Sequence, residues 1–493
     1  GCGWYVAGAT PATYHLTNHF MLRNITRMSI QESSLTIPSL LPSAPPLDRV
    51  TRAMEWYSPA RFGLFYHWGQ FVGGGCAAPA HFPPEWHQPF FYPTLADFEA
   101  AAADPELIAE NLVRTVTYVG AKYLIYTVCH SCDHYALMYP SQLDGFLLKT
   151  SHDYVGAVLR ACRDADVRAI LYIPGSPEYW DCTDGQWLAP GYREQAGYDL
   201  LLRQLVFELI DRYEGLFDGF WVDIYHHEHI ESLSELIHAL LPHAIVTLNN
   251  DTSLHTPDID INTTEITTGL CEPPYNRPSA LMKPNQWGCL PPMPDFNEDI
   301  PTCNNWWHGS PYQKEDELLA GPYVQDPTFL VKQMVSSLGQ CGQWNFALGI
   351  GPTINGTPPA MFQPALDNMH RFMRWAGESI YQTTGGVRAP LRQGWTIGGG
   401  GYGGWSMTGG FFSLTVSLAD PNILYAHITT APESDHLCIQ HAGRMVVAVT
   451  DLHTGQPLPF TQRGCINIHV PDWQDVAEYG DTVLKITLAP TMR

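Results

Sequence analysis

Four short apolar runs in this chain end on side chains able to handle a proton or an electron pair. They are Phe62–His67, Tyr123–Val128 leading into Cys129-His130, Gly219–Asp223, and Ile245–Asn250. A carboxylate or an imidazole can attack an electrophile or carry a proton, and an amide supplies directed hydrogen bonds. Two other groupings invite metal or redox readings and are set aside. Cys129-x-x-Cys132 has no second C-x-x-C to complete a zinc site. In His226-His227-Glu228-His229 adjacent side chains diverge on either a helix or a strand, so one motif cannot supply a tetrahedral set. That stretch reads as a solvent-facing loop just after Asp223, and neither a metal nor a cofactor is expected. Trp306-Trp307-His308 reads as a stacking platform or as a buried lid, two alternatives that the sequence leaves open.

Chemistry at the ends of apolar runs needs a scaffold that gathers those ends. Further runs of the same kind, Ala169–Pro174 and Trp344–Ile350, read as buried parallel strands. Between them lie amphipathic stretches, Leu107–Val119, Tyr154–Ala165, Tyr198–Tyr213, Ile230–Leu241 and Pro327–Leu338. Strand and helix alternating this often imply a (β/α)8-like TIM barrel over residues 51–385. An open doubly wound sheet would carry a G-x-G-x-x-G fingerprint between a strand and a helix, and here the pattern occurs only within the low-complexity Gly398–Gly404 stretch, which reads as a flexible loop. In such barrels function sits at the carboxyl ends of strands, where His67, His130, Asp223 and Asn249 fall. Residues 1–50 form an N-terminal extension closing in a Pro-rich linker, Pro38–Pro46. Beyond 385 the texture turns to Gly-rich turns and alternating strands, which predicts a C-terminal antiparallel β-sandwich over 386–493.

A length of 493 residues suits two or three domains. The formal charge of -23 would repel phosphate backbones, so no nucleic-acid partner is expected. No run of 18 apolar residues is present, and no membrane partner is expected. Aromatic residues make up 12% of the chain and can pack a core or stack on sugar rings. Twelve cysteines and four N-x-S/T acceptors, at Asn24, Asn250, Asn262 and Asn355, are compatible with a secretory route. The chain opens at Gly1, so the expectation is a secreted or extracellular glycoprotein whose signal peptide has been removed.

The segment Ala60-Arg61-Phe62-Gly63-Leu64-Phe65-Tyr66-His67-Trp68-Gly69, followed by Glu85-Trp86, resembles the opening of the α-L-fucosidases of glycoside hydrolase family 29. Similar stretches follow in the family's order: Gly120-Ala121-Lys122-Tyr123, then Arg212-Tyr213 through Phe220-Trp221-Val222-Asp223. Gly349-Ile350-Gly351-Pro352 through Pro359, and Gly377-Glu378-Ser379-Ile380-Tyr381, complete a likeness spanning roughly residues 52 to 385. The resemblance implies a catalytic barrel followed by a β-sandwich. It also implies a retaining exo-glycosidase that removes terminal α-L-fucose from oligosaccharides or glycoconjugates.

On that resemblance the nucleophile is Asp223, forming a glycosyl-enzyme intermediate at the anomeric carbon. His67, Glu85, Trp86, His130, Trp221 and Trp307 are expected to hold the sugar. A retaining enzyme needs a second carboxyl as acid/base. Thr263-Thr264-Glu265 matches the T-x-E context that some members use, and Gly288 follows Trp287 where others carry a Glu. Glu265 is therefore the expected acid/base, with Glu272 and Glu298 in reserve. Three positions depart from the family pattern: Cys129-His130-Ser131-Cys132-Asp133 in place of K-H-H-D, Thr252 in place of an Arg, and Gly349 in place of an Asn. These departures keep two alternatives open, a glycan-binding pseudoenzyme and a hydrolase of a related L-sugar such as an α-L-galactoside.

Overall fold

A computed structural model describes residues 47–70, 92, 94–130, 136–177, 187–223, 227–249, 259–264, 296–299, 325–339, 343–385, 412–440 and 444–490. Within them eight parallel strands close into a barrel in chain order. These are β1 (Phe62–Tyr66), β2 (Tyr123–Thr127), β3 (Arg168–Pro174), β4 (Gly219–Asp223), β5 (Ile245–Asn249), β6 (Ile261–Thr264), β7 (Phe296–Asp299) and β8 (Gln343–Gly349). Six coincide with the apolar runs of the sequence. β6 and β7 do not, because INTT and FNED hold one apolar residue each and show no run or alternation.

The main helices are α1 (Pro105–Val119), α2 (Tyr154–Asp164), α3 (Gln195–Arg212), α4 (His227–Leu240), α5 (Phe329–Leu338) and α6 (Gln363–Ile380). Helix α1 shows why they form where they do. The Asp104 side chain caps Leu107 N, Pro105 opens the first turn, and Gly120 ends the helix in the left-handed region at φ 83. Its buried stripe, Ile108, Leu112, Val116 and Val119, keeps the spacing of one helical face. Asp153 caps α2 through Gly156 N at 2.8 Å and accepts the Tyr213 hydroxyl at 2.6 Å, tying α2 to the end of α3.

Alternation along each strand separates two cores. Phe62, Leu64 and Tyr66 face the helices with Leu124, Leu171 and Phe220. Phe65, Tyr123, Ile125, Ile170, Tyr172, Trp221, Ile245, Ile261 and Ala347 fill the lumen, with Ala53 and Tyr57 from the helical turns before β1. Gly63 is needed because a Cβ there would run into the Tyr123 ring. The register slips by eight residues in one circuit of the strand pairs, which is the shear of this barrel class.

After α6 come β9 (Thr383–Gly385), β10 (Phe412–Ser417), β11 (Ile423–Ile428), β12 (His436–Gln440), β13 (Val446–Asp451), β14 (Phe460–Gln462), β15 (Cys465–His469) and β16 (Thr482–Leu488). They build a five-stranded sheet, in the order β13-β16-β11-β10-β9, and a three-stranded sheet, β12-β15-β14. Both are antiparallel and share one apolar cluster that includes Leu414, Ala426, Ile439, Ile466 and Leu484, so they form a β-sandwich. The opposite face of the larger sheet joins the barrel through Tyr425 and Val483. Ser413 Oγ donates to Val335 O at 2.6 Å, and Thr415 Oγ1 donates to Ser379 O at 2.7 Å. Also buried on this face, His427 Nδ1 lies 2.6 Å from Asp481 Oδ2, with both side chains fully excluded from solvent. Among the described residues no helix is long and apolar enough to cross a membrane.

Candidate active site

Asp223 ends β4 with the same alternation as Trp221, so its carboxylate enters the upper lumen, where it is 5% exposed. Register places Asn249 of β5 beside it. Asn249 Nδ2 donates to Asp223 Oδ1 at 2.8 Å. Thr263 of β6 lies next in register, and its hydroxyl stands 3.2 Å from Asn249 Oδ1 and 3.1 Å from Leu248 O. Thr263 thus keeps the amide oxygen of Asn249 turned away from Asp223 and its NH2 turned toward it. On the other side Tyr172 of β3 donates its hydroxyl to Asp223 Oδ2, and His130 Nε2 lies 3.6 Å from that same oxygen. Both carboxylate oxygens are therefore held from neighbouring strands, which fixes the side chain's rotamer.

Aromatic rings complete the wall. His67, also buried, has its ring centroid 5.0 Å from His130 and 5.2 Å from Tyr172. His130 stacks on Tyr172 at 5.4 Å, and Tyr172 stacks on Trp221 at 5.2 Å. His67, His130 and Asp223 thus come together as the strand-end rule predicts. Trp221 lies one layer lower, 1% exposed, beneath Tyr172 and against Phe65, so it serves as floor rather than rim. Gly349 ends β8 beside Phe65 with the alternation of Ala347, so the departure from Asn leaves that lumen position without a side chain.

Glu298 follows Thr263 in register, yet the barrel's stagger carries it toward the amino-terminal end. It is fully buried and accepts hydrogen bonds from Tyr57 at 2.6 Å, Tyr123 at 2.7 Å and Trp221 Nε1 at 3.1 Å. Burial raises its carboxyl above the ordinary value, against the pull of those three donors. This reserve acid/base is a strut in the lower lumen. Cys129 is likewise buried, and burial pushes its thiol well above the ordinary range, which leaves little thiolate for redox chemistry.

Glu85, Trp86, Glu265, Glu272 and Trp307 lie outside the described residues, as does Cys132. Tyr172 is the site residue that sequence reasoning passes over. It sits inside an apolar strand, and its one available signal is alternation toward the strand's carboxyl end.

The α-L-fucosidase family model matches residues 30–378. The chain belongs to the α-L-fucosidase family. That membership makes it a glycoside hydrolase. A search of curated protein sequences found no match. Among solved structures, a Thermotoga maritima α-fucosidase in complex with a mechanism-based inhibitor is 20% identical, with a TM-score of 0.62 over 88% of this chain and 96% of that one. An α-L-fucosidase isoenzyme 1 from Paenibacillus thiaminolyticus is 18% identical, with a TM-score of 0.64 over 90% of this chain and 100% of that one. A family 29 α-L-fucosidase from Bacteroides thetaiotaomicron, trapped as a covalent intermediate with 2-fluoro-fucosyl fluoride, is 17% identical, with a TM-score of 0.63 over 92% and 100%. These likenesses carry the fucosidase fold across both the barrel and the sheets that follow it.

Proposed function

We propose that this chain is a retaining exo-glycosidase that removes terminal α-L-fucosyl residues from oligosaccharides or glycoconjugates, with Asp223 as nucleophile. The observation that carries this reading is the Asp223 carboxylate at the carboxyl end of β4, held by Asn249 and Tyr172 beside His67 and His130. An Asp223 oxygen bonds to the anomeric carbon as the glycosidic bond breaks, and Glu265 gives its proton to the departing oxygen. Water then attacks the same carbon, Glu265 takes the water's proton, and Asp223 is released as carboxylate. The Bacteroides protein trapped as a covalent intermediate lends this two-step route support. In this reading His67 and His130 bond sugar hydroxyls, while Glu85, Trp86 and Trp307 close the pocket around the ring. Export is part of the same proposal and is checked by glycan occupancy at Asn24 and at the exposed Asn355, since Asn262 lies within β6.

A 2-fluoro-fucosyl substrate should leave an adduct on the peptide bearing Asp223, read by mass spectrometry. Asp223→Ala should lower kcat by roughly a thousandfold, about 4 kcal/mol of barrier, with partial rescue by azide. Near-normal turnover in the folded variant would overturn the assignment. An aryl-glycoside panel that includes the α-L-galactoside decides the sugar, and an inactive parent would favour a glycan-binding protein instead.

A further inference from the structure

The three-stranded sheet of the C-terminal region gathers metal-ligating side chains far in sequence from Asp223. β12 (His436–Gln440) pairs antiparallel with β15 (Cys465–His469), and His436 stands directly opposite His469. Their rings are 5.1 Å apart. Asp435 precedes β12 in a bend, so strand alternation does not force its side chain to the opposite face. Its Oδ1 lies 2.6 Å from His436 Nδ1, and its Oδ2 lies 3.3 Å from His469 Nδ1. One ligand atom from each of the three residues falls within 4.8 Å of the others.

Two features make this more than a surface ion pair. Among the described residues, His469 Nδ1 is shielded from water yet has no hydrogen-bond partner, since its approach to Asp435 misses bonding geometry. An imidazole nitrogen left without a bond beside a carboxylate is poised for an electron-pair acceptor. The backbone around the cluster is also pinned in place. Val470 N donates to Asp435 O at 2.7 Å, Trp473 Nε1 to Ser434 O at 3.1 Å, and Ser434 Oγ to His436 O at 3.1 Å.

We propose that Asp435, His436 and His469 form a binding site for one divalent transition-metal ion of the zinc class. Two imidazoles and one carboxylate suit zinc, cobalt or copper better than calcium or magnesium, which prefer all-oxygen cages. Three protein ligands leave a position for water, and the open side of the cluster admits it, with side chains 53%, 53% and 40% exposed. A bound ion would replace the Asp435–His436 hydrogen bond and clamp the start of β12 to the end of β15. This site stands apart from the Asp223 chemistry and does not rest on it.

The test is titration of metal-free protein with Co2+, followed by visible absorption, and with Zn2+, followed by calorimetry. One ion per chain is expected, with cobalt bands of four- or five-coordinate strength. His436→Ala and His469→Ala should each weaken binding at least tenfold, about 1.4 kcal/mol. Unchanged uptake in the double variant, or no uptake by the parent at about millimolar cobalt, overturns the proposal. A second readout uses the parent alone, so it does not depend on the variants folding. Bound zinc should protect His436 and His469 from diethylpyrocarbonate, seen by peptide mass spectrometry, and unchanged labelling of both overturns the site.

Discussion

Asn249 holds Asp223 from the neighbouring strand, with Nδ2 2.8 Å from Oδ1, because the β4–β5 register sets the two residues side by side at the strand ends. The amide can do this only in one orientation, and the Thr263 hydroxyl 3.2 Å from its oxygen selects that orientation. The carboxylate is thus aimed by residues on two further strands.

Asn249→Ala should lower kcat by roughly 10- to 100-fold with little change in KM, because it loosens the aim of the attacking group rather than the grip on the sugar. Thr263→Val should act the same way with a smaller effect, since it works through the amide. Steady-state kinetics on an aryl α-L-fucoside, with melting curves as a folding control, check both. A raised KM with unchanged kcat would mean that Asn249 binds sugar instead.

Glu265→Ala should damage sugar leaving groups far more than activated aryl ones, because a good leaving group needs little protonation in the transition state. It should also flatten the basic limb of the pH profile, which reports the group that must be protonated. Equal losses on both substrate classes would move the role elsewhere, with Glu272 the first to test.

Glu298 is expected to matter for stability rather than for turnover. Its folded carboxyl is raised above the ordinary value of 4.5, with burial the largest cause. The folded chain therefore holds this proton more tightly than the unfolded one. The stability so gained is complete below the ordinary carboxyl range and is lost as pH rises through the raised value. The Tm of the parent relative to Glu298→Gln should accordingly fall from acidic toward neutral pH, while the variant keeps its leaving-group dependence. A difference that stays flat across that window, or an altered leaving-group dependence, would contradict this role. Glu298→Ala should be worse, about 3 kcal/mol or more, because it strands three buried donors.

Breaking the buried His427–Asp481 pair should destabilise the chain by about 1 to 3 kcal/mol or more, since Asp481 Oδ2 would be left buried without its hydrogen-bond partner. The pair lies where the larger sheet meets the barrel, with Thr415 Oγ1 3.2 Å from His427 Nε2. Denaturant midpoints for His427→Ala measure it, and a loss under about 1 kcal/mol would mean that the site relaxes around the gap.

What could be read from the sequence alone was local. Apolar runs of five to seven residues marked six of the eight barrel strands, and three- and four-residue spacing marked the helices between them. The rule that function sits at strand ends brought His67, His130 and Asp223 forward, and the motif resemblance named the family. Closure of the barrel decided the rest, because it joins positions distant in the chain. Tyr172 meets Asp223 across 51 residues and Glu298 meets Tyr57 across 241. No local pattern encodes either contact. β6 and β7 are strands because the ring needs them to satisfy their neighbours' backbone hydrogen bonds, not because INTT and FNED favour that state. The eight-residue stagger is a property of the closed sheet as a whole. It turns Asp223 toward the mouth of the lumen and Glu298 toward its base, although the two are linked by successive partners in one register.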